Sequence, residues 1–155
     1  MNDEVEYDDD ATIANVRREL RGYRGLMIEY RRLKLVSLSA QAYDGVSGGT
    51  DNVNHEEEKM MKRLRKQEKV QMAMTLIKKS IELMGEIDDK SARLAAILEF
   101  RYIKCYGITK SCYRYAERFD LDEIPRQTFT DHERVAMLLF AQLYPHELRV
   151  KAQPA

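Results

Sequence analysis

The sequence predicts an all-α protein, in which a long N-terminal helical hairpin is followed by a C-terminal three-helix unit of the helix-turn-helix type. Two long stretches predict the hairpin, because their apolar residues recur at steps of three and four, as on one side of a helix. Residues 124–141 predict the helix-turn-helix. There a proline that suits a helix start is followed by a polar first turn and then by one apolar stripe.

We expect residues 1–10 to form an acidic disordered tail, since six of them are acidic and none is basic. The first helix is predicted to begin near Ala11 or Thr12, with Asp10 or Thr12 as its cap. An isolated helix of this length is marginal in water, so its apolar seam needs a packing partner. The seam consists of Ile13, Val16, Leu20, Tyr23, Met27 and Tyr30.

A flexible loop is predicted over residues 39–55, which hold three of the seven glycines. The second helix is predicted from about Glu56 to Gly85, so that the hairpin covers residues 11–86. Its seam, polar in the middle, consists of Met60, Leu64, Gln67, Gln71, Met74, Ile77, Ile81 and Met84. The two helices could pair within one chain or between two chains. Glutamines facing each other are better satisfied than glutamine beside leucine, which favours a homodimer through the hairpins.

The helix-turn-helix domain is predicted over residues 88–148, which leaves residues 149–155 as a tail. Ser91 is expected to cap its first helix, and Gly107 is expected to end that helix in the left-handed conformation. The second helix of this domain is predicted at Ser111–Phe119, with Tyr113, Ala116 and Phe119 as its apolar residues. The turn that follows it is predicted at Asp120–Glu123.

The last helix is predicted to begin at Pro125 and to end at Tyr144, because the residue before Pro145 disfavours helical φ and ψ. Its residues fall into two groups. Those predicted to be buried are Phe129, His132 or Glu133, Ala136, Phe140 and Leu143. Those predicted to face solvent, and to contact DNA if the helix enters a major groove, are Arg126, Gln127, Thr128, Thr130, Asp131 and Arg134.

Composition and motifs argue against several functional classes. The 26 basic and 26 acidic residues balance, so the whole chain lacks the basic charge typical of nucleic-acid-binding proteins. No apolar run approaches a membrane span, and two cysteines do not make a disulfide framework, so a cytoplasmic protein is expected. The histidines and cysteines lack metal-ligand spacing, and there is no glycine-rich phosphate loop. We therefore predict a protein that is not an enzyme and uses no cofactor or metal.

Five segments of the chain, taken in order, resemble the ArpU family of phage-encoded transcriptional regulators. After an acidic start, they are TIANVRRELRGYRGLMIEYRRLK, AYDGVSGGT, EEKMMKRLRKQEKV, ILEFRYI and RQTFTDHERVAMLLFAQLY. The last segment is similar to the family's helix that itself resembles region four of bacterial sigma factors. The resemblance implies a location in the cytoplasm of a bacterial host and activation of late phage genes, such as packaging and lysis genes. It also implies that the six exposed residues between Arg126 and Arg134 form the DNA-recognition face.

Two hypotheses follow. In the first, the chain is an activator that binds double-stranded promoter DNA, and the hairpin is a dimerisation arm or contacts bacterial RNA polymerase. In the second, it is a protein-interaction module that binds RNA polymerase or another regulator with little DNA contact. The balanced charge and the acidic turn favour the second hypothesis, because carboxylates repel phosphates. The resemblance favours the first, and we prefer it because it covers nearly the whole chain.

Overall fold

The computed structural model describes residues 4–42 and 51–154, and the side chains of all of these except residues 51–53. Over these residues the predicted all-α class is confirmed. The elements are β1 (Tyr7–Asp8), α1 (Asp9–Ala42), α2 (Asp51–Gly85), α3 (Asp89–Leu98), a π-helical segment (Glu99–Ile103), α4 (Ile108–Arg118), α5 (Arg126–Leu143) and β2 (Val150–Lys151). Among the described helices, none is both long enough and apolar enough to span a membrane.

The chain divides into two compact units. The first unit contains Met1–Arg24 and Ile77–Ala155, and the second contains Gly25–Leu76. This division runs through the two long helices, whereas the sequence suggested a boundary between residues 86 and 88. The physical reason is that the first part of α1 is hydrogen-bonded to the C-terminal part of the chain.

The two ends of the described chain pair with each other. Strand β1 pairs antiparallel with β2, so that Tyr7 lies opposite Lys151. The amide of Val150 donates to the hydroxyl of Thr12 at 3.0 Å. The expected tails over residues 1–10 and 149–155 therefore need correction, because backbone hydrogen bonds order part of each. Residues 1–3 and 155 lie outside the described residues.

Helix α1 begins at Asp9, earlier than the predicted start at Ala11 or Thr12. The carboxylate of Asp8 accepts from the amide of Ala11 at 3.1 Å, so Asp8 is the capping residue rather than Asp10 or Thr12. The pairing of β1 brings Asp8 into this position, and no helical periodicity marks it in the sequence.

The first part of the α1 seam is buried as predicted. The exposed fractions of its first four members, Ile13, Val16, Leu20 and Tyr23, do not exceed 6%. Hydrogen bonds join this part of α1 to the C-terminal end of the chain: the side-chain Nδ2 of Asn15 donates to the carbonyl of Leu148 at 3.1 Å, and the hydroxyl of Tyr144 donates to the carboxylate of Glu19 at 2.9 Å. In the first unit, these hydrogen bonds place the C-terminal segment beside the buried part of α1.

In the second unit, α1 and α2 contact each other through an ion pair between Glu29 and Lys66, with a nitrogen–oxygen distance of 3.3 Å. The predicted α2 seam is not buried in this unit, since Met60 is 51% exposed and Leu64 is 44% exposed. Further along α2, the seam residues Ile77, Ile81 and Met84 belong to the first unit and are buried.

Both ends of the predicted loop over residues 39–55 are helical in the structure. Residues 39–42 continue α1, and residues 51–55 begin α2. Residues 43–50 lie outside the described residues.

The start and end of the α3 region differ from the prediction. The carboxylate of Asp88 accepts from the amide of Ser91 at 2.7 Å, so Asp88 is the cap and Ser91 is buried. The helix then widens into the π-helical segment, and the left-handed residue after it is Cys105, with φ 57°. Gly107 has φ −66° and ψ 171° and immediately precedes α4. With the π-helical turn, the left-handed residue that follows the helix is Cys105, two residues before the predicted Gly107.

Candidate nucleic-acid interface

The helix predicted to recognise DNA follows α4 after a seven-residue connection. At its beginning, Asp120 is left-handed (φ 55°), and the amide of Leu121 donates to the carbonyl of Ala116 at 2.8 Å. This bond from the second residue after the cap back into the last turn is a Schellman motif, and aspartate is one of the few residues other than glycine that tolerate its left-handed position. The chain reverses here without a glycine.

Helix α4 itself differs from its prediction in extent and in the side that it buries. It begins at Ile108, not at Ser111, and its buried aromatic residue is Tyr115, whereas Tyr113 is 67% exposed. Tyr115 packs edge-on against Phe129 of α5, with ring centroids 6.0 Å apart. The sequence assigned the buried position to Tyr113 instead of Tyr115. Both residues are tyrosines two positions apart, so residue type did not distinguish the buried one from the exposed one.

Helix α5 begins immediately after Pro125, which has the extended conformation (φ −58°, ψ 140°) and makes no side-chain cap. The predicted buried stripe is confirmed for Phe129, Ala136 and Phe140, each with 0% exposure, and Glu133 rather than His132 is its charged member. The prediction was wrong for Leu143, which is 40% exposed, because the chain leaves the helix there and Tyr144 is buried instead.

The buried Glu133 joins α5 to the π-helical segment. The hydroxyl of Tyr102 donates to the Glu133 carboxylate at 2.8 Å, and the Arg101 guanidinium lies 3.6 Å from the same carboxylate oxygen. Burial, together with the Glu133 charge, raises the pKa of Tyr102 to about 12. The pair fixes α5 against the core through a polar contact, and sequence periodicity alone does not indicate it.

The six predicted contact residues lie in the first half of α5. Arg126, Gln127, Thr128, Asp131 and Arg134 are exposed, and Thr130 is half-buried. At 100° per residue, five of the six fall within an arc of about 140°, while Thr128 lies outside it. The helix therefore presents one polar side, which we call the α5 polar face and define by the five residues Arg126, Gln127, Thr130, Asp131 and Arg134.

Several side chains of the α5 polar face are hydrogen-bonded within the protein. Nε2 of Gln127 donates to Oδ1 of Asp131 at 2.9 Å, and the hydroxyl of Thr130 donates to the carbonyl of Arg126 at 2.9 Å. Nη2 of Arg134 donates to Oδ1 of Asp10 at 2.6 Å. Asp10 contacts this face although the sequence did not indicate it, because Asp10 lies far away in the sequence and was assigned to the acidic tail or to the cap of the first helix.

Exposed charges of both signs lie on α4 and in the connection to α5. Exposed basic side chains on α4 include Lys110, Arg114 and Arg118, of which Arg114 pairs with Glu117 and Arg118 with Glu99. The exposed acidic side chains of the connection are Asp120, Asp122 and Glu123. These charges of opposite sign offset each other, so together they supply little net attraction to phosphates.

The described residues contain no group of three or more His, Cys, Asp or Glu side chains arranged to hold a metal ion. Cys105 is exposed and Cys112 is half-buried, and neither forms a disulfide. Burial raises the pKa of the Cys112 thiol. Comparison of the chain with protein-family models, with curated proteins and with solved structures gave no match.

Proposed function

We propose that this chain is a transcription regulator that binds promoter DNA through the α5 polar face. The observation that carries the proposal is the division of α5 into two sides. Phe129, Ala136 and Phe140 are completely buried on one side, while Arg126, Gln127 and Asp131 face solvent on the other. A helix held in this way by its apolar side can enter a major groove without disturbing the core.

The width of an α-helix and the residue types of the face are compatible with contact in a major groove. The major groove is about 12 Å wide and admits one α-helix, because the diameter of a helix with its side chains is about 10–12 Å. Arginine recognises guanine and glutamine recognises adenine, and the face offers both residue types in Arg126 and Gln127. Lys110 and Arg114 on α4 are exposed and basic, and they can contact phosphates beside the groove.

The finer parts of the proposal rest on the resemblance to ArpU regulators. The regulator acts in a bacterial host cytoplasm, activates late phage or prophage genes, and contacts RNA polymerase. It forms a homodimer through the two long helices. The exposed apolar residues on the α2 part of the second unit support the dimer, since they offer a surface that a second copy can bury: Met60, Met61, Leu64 and Met72.

A protein-interaction module is the second candidate. The observation that favours it is the set of exposed carboxylates in the connection between α4 and α5, namely Asp120, Asp122 and Glu123. These carboxylates repel the DNA backbone and suit a basic protein surface, for instance on RNA polymerase. In that case α5 serves to support the connection, and its polar face contacts no bases.

A gel-shift titration at several salt concentrations tests the proposal. The purified full chain is titrated against the late promoter region of the phage or prophage that encodes it, with a coding fragment of equal length as the control. Retention of the promoter fragment at moderate salt, when the control fragment is released, supports a specific regulator. Equal release of both fragments as salt rises contradicts it and favours the interaction module.

A further inference from the structure

The bond between Gln127 and Asp131 fixes which atoms of the glutamine amide remain available. Nε2 of Gln127 donates to Oδ1 of Asp131 at 2.9 Å, and both side chains are exposed on α5. An ionised carboxylate only accepts hydrogen bonds, so the nitrogen end of the amide must face Asp131. The carbonyl oxygen of Gln127 and one of its two N–H groups are left for another partner.

We propose that Gln127 reads an adenine in the major groove and that Asp131 is the positioning residue that orients its amide for this contact. This inference rests on the proposed function. Adenine presents one acceptor, N7, and one donor, the N6 amino group, and an amide with one free acceptor and one free N–H complements both. Guanine presents two acceptors, N7 and O6, so the carbonyl oxygen of an oriented glutamine faces an acceptor and is repelled.

The position of Gln127 supports this role. It is the second residue of α5, and the N-terminal residues of a recognition helix are those that contact base edges. Two other polar side chains of the face have partners within the protein, because Thr130 donates its hydroxyl hydrogen to the carbonyl of Arg126 and Arg134 binds Asp10. Asp131 acts through Gln127 and does not itself read a base.

Selection of binding sites from a random pool of duplex DNA tests the inference without knowledge of the operator. The full chain is compared with Gln127→Ala, Asp131→Asn and the control Gln142→Ala, which removes an exposed glutamine near the other end of α5. Asparagine can turn either end of its own amide toward Gln127. Asp131→Asn therefore keeps the size of the side chain but no longer fixes the orientation of the Gln127 amide.

The wild-type chain and Gln142→Ala are expected to enrich the same motif, which contains an adenine that Gln127→Ala no longer prefers. The loss of preference at this position should be about fivefold or more. In Asp131→Asn, the preference for adenine over guanine should fall severalfold, while affinity for the pool as a whole holds or rises because a carboxylate near phosphates is removed. A purely structural role of Asp131 predicts the opposite split, with lower affinity for all sequences and an unchanged preference.

An adenine preference that survives in Gln127→Ala, or that survives undiminished in Asp131→Asn, overturns the inference. In both cases the proposed function stands, because the wild-type chain has still selected a motif. If the wild-type chain enriches no sequence at all, the proposed function fails and the inference fails with it.

Discussion

The side chains of Asp10 and Arg134, which are 124 positions apart in the sequence, form an ion pair in which Nη2 of Arg134 lies 2.6 Å from Oδ1 of Asp10. The pairing of β1 with β2 holds the acidic start of the chain in place, and the adjoining first turn of α1 carries Asp10. An arginine of the α5 polar face is thus already bound to a carboxylate of the same protein.

Under the proposed function, Asp10 would compete with phosphates for Arg134, so we expect Asp10→Asn to bind promoter DNA about two- to fivefold more tightly at low salt. The size follows from an exposed ion pair worth about 0–1 kcal/mol, and the gain should shrink as salt rises. A fluorescence-anisotropy titration measures it. Glu82→Gln is the matched control, since it removes the same charge from an exposed side chain that pairs with Lys79 on α2. Weaker binding by Asp10→Asn contradicts this expectation and indicates that Asp10 orients Arg134 for DNA.

The double substitution of Arg126→Ala with Gln127→Ala should abolish specific promoter binding. Both side chains are exposed, and base contacts of this kind are worth about 1–3 kcal/mol each. Circular dichroism and the melting temperature should remain close to wild type, because no buried group is lost. Gel shifts on the promoter fragment, with Gln142→Ala as the control, provide the measurement. Wild-type affinity in the double variant means that the DNA site lies elsewhere or that there is none.

Phe129→Ala should destabilise the first unit by roughly 3–5 kcal/mol, as expected for the removal of a buried aromatic side chain. Phe129 is 0% exposed and packs against Tyr115. Chemical denaturation followed by circular dichroism measures the loss. Tyr113→Ala is the control because Tyr113 is an aromatic residue of α4 that is 67% exposed, and its loss should change stability little. Equal stability of both variants would show that the sides of these helices have been assigned wrongly.

Ionisation of Tyr102 should lower the stability of the protein in alkaline solution. Its pKa in the folded state is raised from 10.0 to about 12, by burial first and by Glu133 second. A raised pKa means that the neutral hydroxyl stabilises the fold fully below the unfolded pKa, and that this contribution is lost as pH rises through the folded value. Urea denaturation across this range measures the slope of stability against pH.

Tyr102→Phe should be less stable at neutral pH, because Glu133 loses its donor, but its stability should fall less steeply between about pH 10 and 12. Some dependence should remain, since burial and Glu19 also raise the pKa of Tyr144. Tyr113→Phe, at an exposed position, serves as the control. An alkaline slope in Tyr102→Phe as steep as that of the wild type would rule out Tyr102 as its source.

The chain should form a homodimer at micromolar concentration, because the exposed Met60, Met61 and Leu64 of α2 can be buried against a second copy. Sedimentation velocity over a range of concentrations measures the mass. Met60→Ser with Leu64→Ser should shift the equilibrium toward the monomer. The control Leu83→Ser with Ile87→Ser changes two exposed apolar residues outside the second unit and should leave the equilibrium unchanged. A monomer at every concentration excludes the dimer.

The sequence determined the fold class and the sides of the strongly periodic helices. Ile13, Val16 and Leu20 are buried at the predicted steps, and so are Phe129, Ala136 and Phe140, because one apolar stripe on a helix must be removed from water. Pro125 and Pro145 marked both ends of α5, since proline restricts its own backbone and that of the residue before it. These features depend on local geometry, which periodicity and residue type express directly.

Only the tertiary structure decided the features that join residues far apart in the sequence. The pairing of β1 with β2, the Asp10–Arg134 ion pair and the bond from Tyr102 to Glu133 each depend on where other elements lie. A carboxylate in a sequence has no mark that separates a solvated residue from a buried acceptor or the partner of a distant arginine. Local periodicity therefore identified the α5 polar face, whereas the folded chain determined which of its side chains are already engaged within the protein.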